Sequence, residues 1–330
     1  MSAAVRGERT RRQAAGRSIV TSYHLWSSRG CGSLYAESRE GREAWAPMAQ
    51  RPPDLPDFLK PPLVEVVLSV QFSKLRNYRA VSAGLLWDKI FRKSYPKVYE
   101  HPPLAPAFET FGTPSSGRAK LQISEAAGLP APRLWFVNTD DTELIQVQAD
   151  RFIHNWRKVA GLEDYPRYET IKERFFEELR GLEEFLISED IGTIEPNQSE
   201  VTYVNHIALD QSENIWEKPE AALRTFSRIV DDGSDPAARL PRLEDVRYTA
   251  RYIIDGSEGA PIGRLIITAQ PALGSDRQQV LRLDLTARGA PTAPTLDAVS
   301  DFLDLGRETI VRGFTAITTP AMYQQWKRVK

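Results

Sequence analysis

Apolar and polar residues alternate from Leu63 to Phe72, with Val64, Val66, Leu68, Val70 and Phe72 on one side and Glu65, Val67, Ser69 and Gln71 on the other. Period-two alternation of β-branched residues predicts a strand lying on a core. Glu200–Leu209 repeats the pattern, with Val201, Tyr203, Asn205, Ile207 and Leu209 against Thr202, Val204, His206 and Ala208. Arg133–Val137 and Glu143–Ala149 flank the polar run Asn138–Thr142, which predicts a hairpin with one polar face directed at water or a partner. Three further strands are expected at Asp245–Ile254, Ile262–Gln270 and Gln278–Arg288, and a short one at Ala119–Ser124. The helical period appears from Tyr168 to Ile187, where Ile171, Phe175, Leu179, Leu182 and Leu186 form a stripe, and again over Thr295–Ile317. Shorter helices are predicted from Ser82 to about Lys93 and over Lys218–Val230, and a short amphipathic end over Pro320–Val329. Phe152 and Trp156 stand four apart in Asp150–Arg157, which reads as a helical turn with His154 and Asn155 pointing outward.

The elements run strand, helix, strands, long helix, and then the same order again, without residue-level similarity between the two runs. The expected fold class is therefore α+β, with two tandem strand-helix-strands-helix halves (62–192 and 193–330) and an antiparallel sheet carrying helices on one face. If the halves share a sheet, its uncovered face is the natural binding surface. Five prolines between Met48 and Leu63 make residues 48–61 an extended lead-in.

Residues 1–47 contrast with this body. They hold eight Arg, no Lys, four Glu and no Asp, and no sustained periodicity. A translated upstream region with Met48 as the start, a basic disordered arm and an organelle-targeting leader are the three readings. The glutamates oppose targeting, and no apolar stretch marks a secretory signal. Composition favours Met48. Without this stretch the body has 35 basic and 40 acidic residues, a net charge near −5. That balance weighs against nucleic acid as partner. A single cysteine, Cys31, excludes an internal disulfide and a cysteine zinc cluster, and fits a cytoplasmic protein. No apolar run approaches the roughly 18 residues of a membrane span.

Local catalytic signatures are absent: there is no phosphate-binding loop, dinucleotide fingerprint, nucleophile elbow or H-E-x-x-H. No catalytic residue, metal ligand or cofactor is implied. Asp297, Asp301, Asp304 and Glu308 share a helix face, opposite Val299, Leu303, Ile310 and Phe314, and read as a solvated stripe rather than a cation site. Arg247, Arg251 and Arg282 alternate with apolar residues, and would share a sheet face able to grip phosphate or carboxylate if their strands were neighbours. His154, Asn155 and His206 complete the binding candidates, for a pocket between the halves.

Four stretches, PPLVEVVLSVQF at 61–72, RLWFVNTDDTELIQVQADRFIHNWR at 133–157, TYVNHI at 202–207 and DLGRETIVRGFTAITTPAMYQQW at 304–326, carry a family resemblance. On them the chain resembles the TIGR04255 family, sporadically distributed prokaryotic proteins of unknown function. Members often show a histidine near the position of Gly306 and Arg307, and this chain has none there. The resemblance covers the body and not residues 1–47, and it implies no activity, substrate or catalytic residue. The patchy distribution implies an accessory or defence-linked role. The leading expectation is a non-enzymatic cytoplasmic binding protein with another protein as partner. An enzyme or small-ligand binder with a pocket between the halves is the second, and a nucleic-acid or anion binder using the arginines the third. No membrane association is expected.

Overall fold

β1 (Leu63–Phe72) lies at the centre of a nine-stranded sheet and is paired on both edges. The computed structural model describes residues 52–112, 131–159, 161, 163–209, 214–226, 241, 243–274 and 277–330. The leader and the strand expected at 119–124 lie outside these residues. From β1 the sheet extends on one side through β5 (Arg151–Arg157), β4 (Glu143–Gln148), β3 (Arg133–Val137) and β2 (Lys97–His101). On the other side come β6 (Pro196–Ile207), β9 (Gln279–Gly289), β8 (Pro261–Leu273) and β7 (Tyr248–Asp255). Every neighbouring pair is antiparallel. The two halves thus share one sheet, joined where Val66 faces Tyr203 and Leu68 faces Val201. Residues Met48–Lys330 form one compact unit.

One face of the sheet is apolar, and the helices cover it. α2 (Tyr168–Ser188) buries Ile171, Phe175, Leu179, Leu182 and Leu186, with Phe175 set 5.6 Å from the ring of Phe152. α3 (Leu296–Ile317) packs on β6, β8 and β9 through Val299, Leu303, Ile310 and Phe314. Thr295 caps α3 by accepting from the amide of Ala298. α1 (Ala80–Leu86) continues as a π-turn, Trp87–Phe91, which sets Phe91 against Phe136. The proline-rich lead-in is fastened by the chain end. Phe58 sits among Phe314, Tyr323 and Trp326, and the amide of Leu59 donates to the carbonyl of Lys327. α4 (Pro320–Gln325) supplies that docking surface. No helix of the described residues is long and apolar enough to cross a membrane.

Three expectations change. Asp150–Arg157 is β5 and not a helical turn: Phe152, His154 and Trp156 share the helix-covered face, while Ile153, Asn155 and Arg157 face the other way. Only 3₁₀ turns, Pro219–Ala221 and Arg224–Phe226, occupy the described part of the helix expected at 218–230. There Leu223 bridges Thr318, and the carbonyl of Ala222 accepts from the amide of Thr319, so the backbone is engaged with the end of α3. The first half also contains β2, which lies between Pro96 and Pro102 and is too short to show a period. The expected order of strand, helix, strands and long helix is therefore not repeated element for element.

Where α3 crosses β8 and β9 the sheet has no room for side chains. Phe302 lies over Gly263 and Gly289, and a Cβ added at Gly289 would collide with the Ile262 carbonyl and stand 2.5 Å from the Phe302 ring. Gly289→Ala is expected to cost about 1–3 kcal/mol through overpacking. Chemical denaturation checks this, and an unchanged midpoint would show that Phe302 is not held as described.

Candidate functional site

The second face of the sheet is polar over most of its width, and strand register places its residues in rows. One row runs Tyr99, Trp135, Gln146, Ile153, Ser69, Glu200, Arg288, Arg264, Ile253 across all the strands. The next contains Gln148, Arg151, Gln71 and Gln198. A solvated face would leave such groups open to water. Here Gln71 and Gln148 are each 3 % exposed, and Gln146, Asn155 and Gln198 are also buried. Buried amides require partners. Arg133 donates to Gln146 (2.6 Å), Gln146 to Asn155 (2.8 Å) and Asn155 to Glu65 (2.7 Å), a chain that ties β3, β4, β5 and β1.

Much of the burial comes from the segment that follows β2. Residues 102–112 leave the sheet edge at His101 and cross the polar face towards β8. The side-chain amide of Gln148 pairs with the main chain of Leu104 as a strand would, its oxygen accepting from the Leu104 amide (2.9 Å) and its nitrogen donating to the Leu104 carbonyl (3.0 Å). Arg151 donates to the Ala105 carbonyl (3.2 Å), and the Gln71 oxygen accepts from the Ala107 amide (2.8 Å) and from Arg151 (2.6 Å). Farther on, the Glu109 carboxylate is ion-paired with Arg264 and lies 3.6 Å from Arg288. Arg264 also donates to the Thr110 carbonyl (2.6 Å) and stacks 4.7 Å from the ring of Phe111. Gly112 then turns the chain with φ +82°, a conformation that favours glycine.

The electrostatics of this face differ from those of the acidic body. Burial lowers the pKa of Arg151 below its ordinary value, and burial with the nearby Arg151 charge does the same for Arg133. Burial is the larger cause in both, and at Arg151 the carboxylates of Glu200 and Asp150 oppose it. The Nε atoms of Arg133 and Arg151, Nε1 of Trp135 and Oε1 of Gln198 are buried with no hydrogen-bond partner. All four belong to this face.

The expected site residues disperse. Arg247 precedes β7 and is exposed. Arg251 lies on the edge strand opposite Ile266. Arg282 sits two strands away, opposite His206 and Gln270, and donates to Asp284 (2.9 Å). β8 separates β7 from β9, so the three arginines form no cluster. His206 and Arg282 do share a cleft of about 430 Å³ with Glu65, Arg157 and Lys158. Asn155 belongs to the amide chain described above. His154 is fully buried on the opposite, helix-covered face, where Nδ1 lies 2.7 Å from Glu178, which also accepts from Tyr95. Gln71, Gln148, Arg151, Arg264 and Arg288, which hold the crossing segment, were not among the expected residues. Their only sequence signal is the polar side of strand alternation.

Between the lead-in, α2 and α3 there is a cavity of about 70 Å³, bounded by Phe58, Leu63, Tyr165, Tyr203, Arg307 and Phe314. No histidine stands in its wall. Beside it Asp304 bonds Lys172 (2.7 Å) and Tyr168 (2.9 Å), so this member of the expected acidic stripe turns inward. Among the described residues no group of three or more His, Cys, Asp or Glu side chains could hold a metal ion. A scan of the chain against protein-family models gave no match, and a search of curated proteins gave none.

Two outcomes follow from this geometry. Glu178→Ala leaves the His154 and Tyr95 groups buried without their partner, and is expected to cost about 1–3 kcal/mol for each in chemical denaturation. His206 has its pKa lowered by burial first and by the Arg282 charge second. A lowered folded-state value means that the unfolded chain binds the proton first, so His206 favours folding above its ordinary value and loses that contribution as pH falls. NMR titration is expected to show His206 protonating below the ordinary histidine range, and Arg282→Gln raising its midpoint.

Proposed function

We propose that the protein is a binding protein, that its working surface is the polar face of the sheet, and that its partner is a polypeptide. The observation that carries this reading is the way the face already holds extended chain. Gln148, Arg151 and Gln71 hydrogen-bond to main-chain atoms of Leu104, Ala105 and Ala107. Side-chain amides that pair with a backbone recognise extended polypeptide whatever its sequence, as a sheet edge does in strand addition. Phosphate recognition would call for unpaired cations, whereas Arg264, Arg282 and Arg288 are each matched to a carboxylate. The resemblance noted in the sequence brings no activity and adds no residue to this reading.

Selection of a displayed random 12-residue peptide library on the full chain tests it. Enriched peptides are expected to lose at least about tenfold in affinity on Gln71→Ala/Arg151→Ala, a change of about 1.4 kcal/mol. Circular dichroism would confirm that the variant folds. If no peptide is enriched, or if the enriched peptides bind the variant as well as the parent, the sheet face is not a peptide surface. Tight binding of a single-stranded 12-nucleotide DNA to the same residues, without peptide binding, would replace the reading with the nucleic-acid one.

A further inference from the structure

The main-chain contacts leave open which polypeptide the face selects. The far end of the crossing segment is more specific. Glu109 has a side chain 9 % exposed and is set against Arg264 and Arg288, which are themselves only 16 % and 27 % exposed. Arg288 is divided between Glu109 and Glu200. Two residues beyond the acid, Phe111 lies on the guanidinium of Arg264. Arginine suits this task because its planar fork can meet a carboxylate along its edge while an aromatic ring covers its face. The seat is thus a main-chain reader at one end and an acid-and-aromatic reader at the other, five residues apart.

We propose, resting on the function proposed above, that the selected partner is an extended segment of another protein with an acidic residue two positions before an aromatic one, and that residues 103–112 are a built-in copy of it which the partner displaces. Three features support an exchangeable occupant over a fixed part of the core. The segment has no secondary structure of its own, and the large apolar side chain of Phe108 is 58 % exposed. Its backbone pairs with none of the strands it crosses and is held by their side chains. Its contacts are those an incoming chain could reproduce, since most are made to backbone atoms.

The copy gives the probe. A fluorescent peptide PLAPAFETFG, the sequence of residues 103–112, is titrated into the full chain and into Glu109→Ala/Phe111→Ala, in which the resident segment has lost its anchors. The peptide is expected to bind the double variant at least about tenfold more tightly than the parent, because the parent seat is filled. Adding Arg264→Gln/Arg288→Gln, or replacing the peptide glutamate with glutamine, is expected to remove that binding by a similar factor. Thermal unfolding of each variant separates lost binding from lost fold. Equal affinity for parent and double variant would overturn displacement, and affinity unaffected by the arginines would overturn the acid seat. If the library yields peptides dependent on Gln71 and Arg151 that carry no acid and this probe fails, only the present inference falls. If neither binds, the polypeptide reading falls with it. Dimer formation by the double variant, with its peptide binding abolished, would make a second copy of this chain the occupant and so overturn a foreign partner.

Discussion

A sheet must satisfy its buried polar groups on whichever face carries them, and β1 shows that constraint most sharply. Both its edges are paired, so its backbone needs nothing more. Val66, Leu68 and Val70 are completely buried beneath the helices. On the reverse, Gln71 is buried as well, and an amide taken from water without a partner costs about 1–3 kcal/mol in proteins. Gln71 meets that demand by bonding to Arg151, to Asn197 and to the backbone of Ala107. The third of these partners is the crossing segment. The polar face and its cover therefore depend on each other.

The two faces use buried polar chemistry differently. Under the helices, His154 and Tyr95 meet at Glu178, and Lys172 and Tyr168 meet at Asp304. Each joins secondary elements already fixed by apolar packing, with α2 a member of both. Groups of this kind help hold one arrangement of helices against others, since any slip would strand a buried charge. On the other face the acceptors and donors of Gln148, Gln71 and Arg264 are directed at backbone of an irregular segment. That set would be satisfied by any chain running the same path.

Most of the architecture was legible where the period was long and unopposed. β1 and β6 alternate over many residues, and α2 keeps its stripe from Ile171 to Leu186, about four turns. β5 was misread because Phe152 and Trp156 are compatible with both periods, and His154 between them is polar although it faces the core. Its burial depends on Glu178, distant in sequence, which no local pattern announces. The candidate site was half legible. The polar face of the β3–β4 hairpin was expected to meet water or a partner; Gln146 and Gln148 lie on it but are buried, and Asn155 joins them from β5. The grouping of Arg247, Arg251 and Arg282 failed because strand order is not a local property: β8 enters the sheet between the strands that carry them. Arg264 and Arg288 come together by cross-strand register alone.

Holding eight residues of irregular chain, from Leu104 to Phe111, is a near-balanced affair. Fixing one residue's backbone costs about 1–2 kcal/mol, while a hydrogen bond returns about 0.5–1.5 kcal/mol net. The main-chain bonds from Gln148, Arg151, Gln71 and Arg264 could not order the segment alone. Pro103 and Pro106 lower the cost, because their φ angles are fixed before the segment docks. Glu109 and Phe111 add a charge-assisted pair and a stacked guanidinium where Arg264 and Arg288 are shielded from water. The balance is thus decided at the acid-and-aromatic end, whereas the amide end sets direction and register. A seat whose strength rests on two side chains can be vacated by loss of those two contacts, which returns the amides of Gln71 and Gln148 to water.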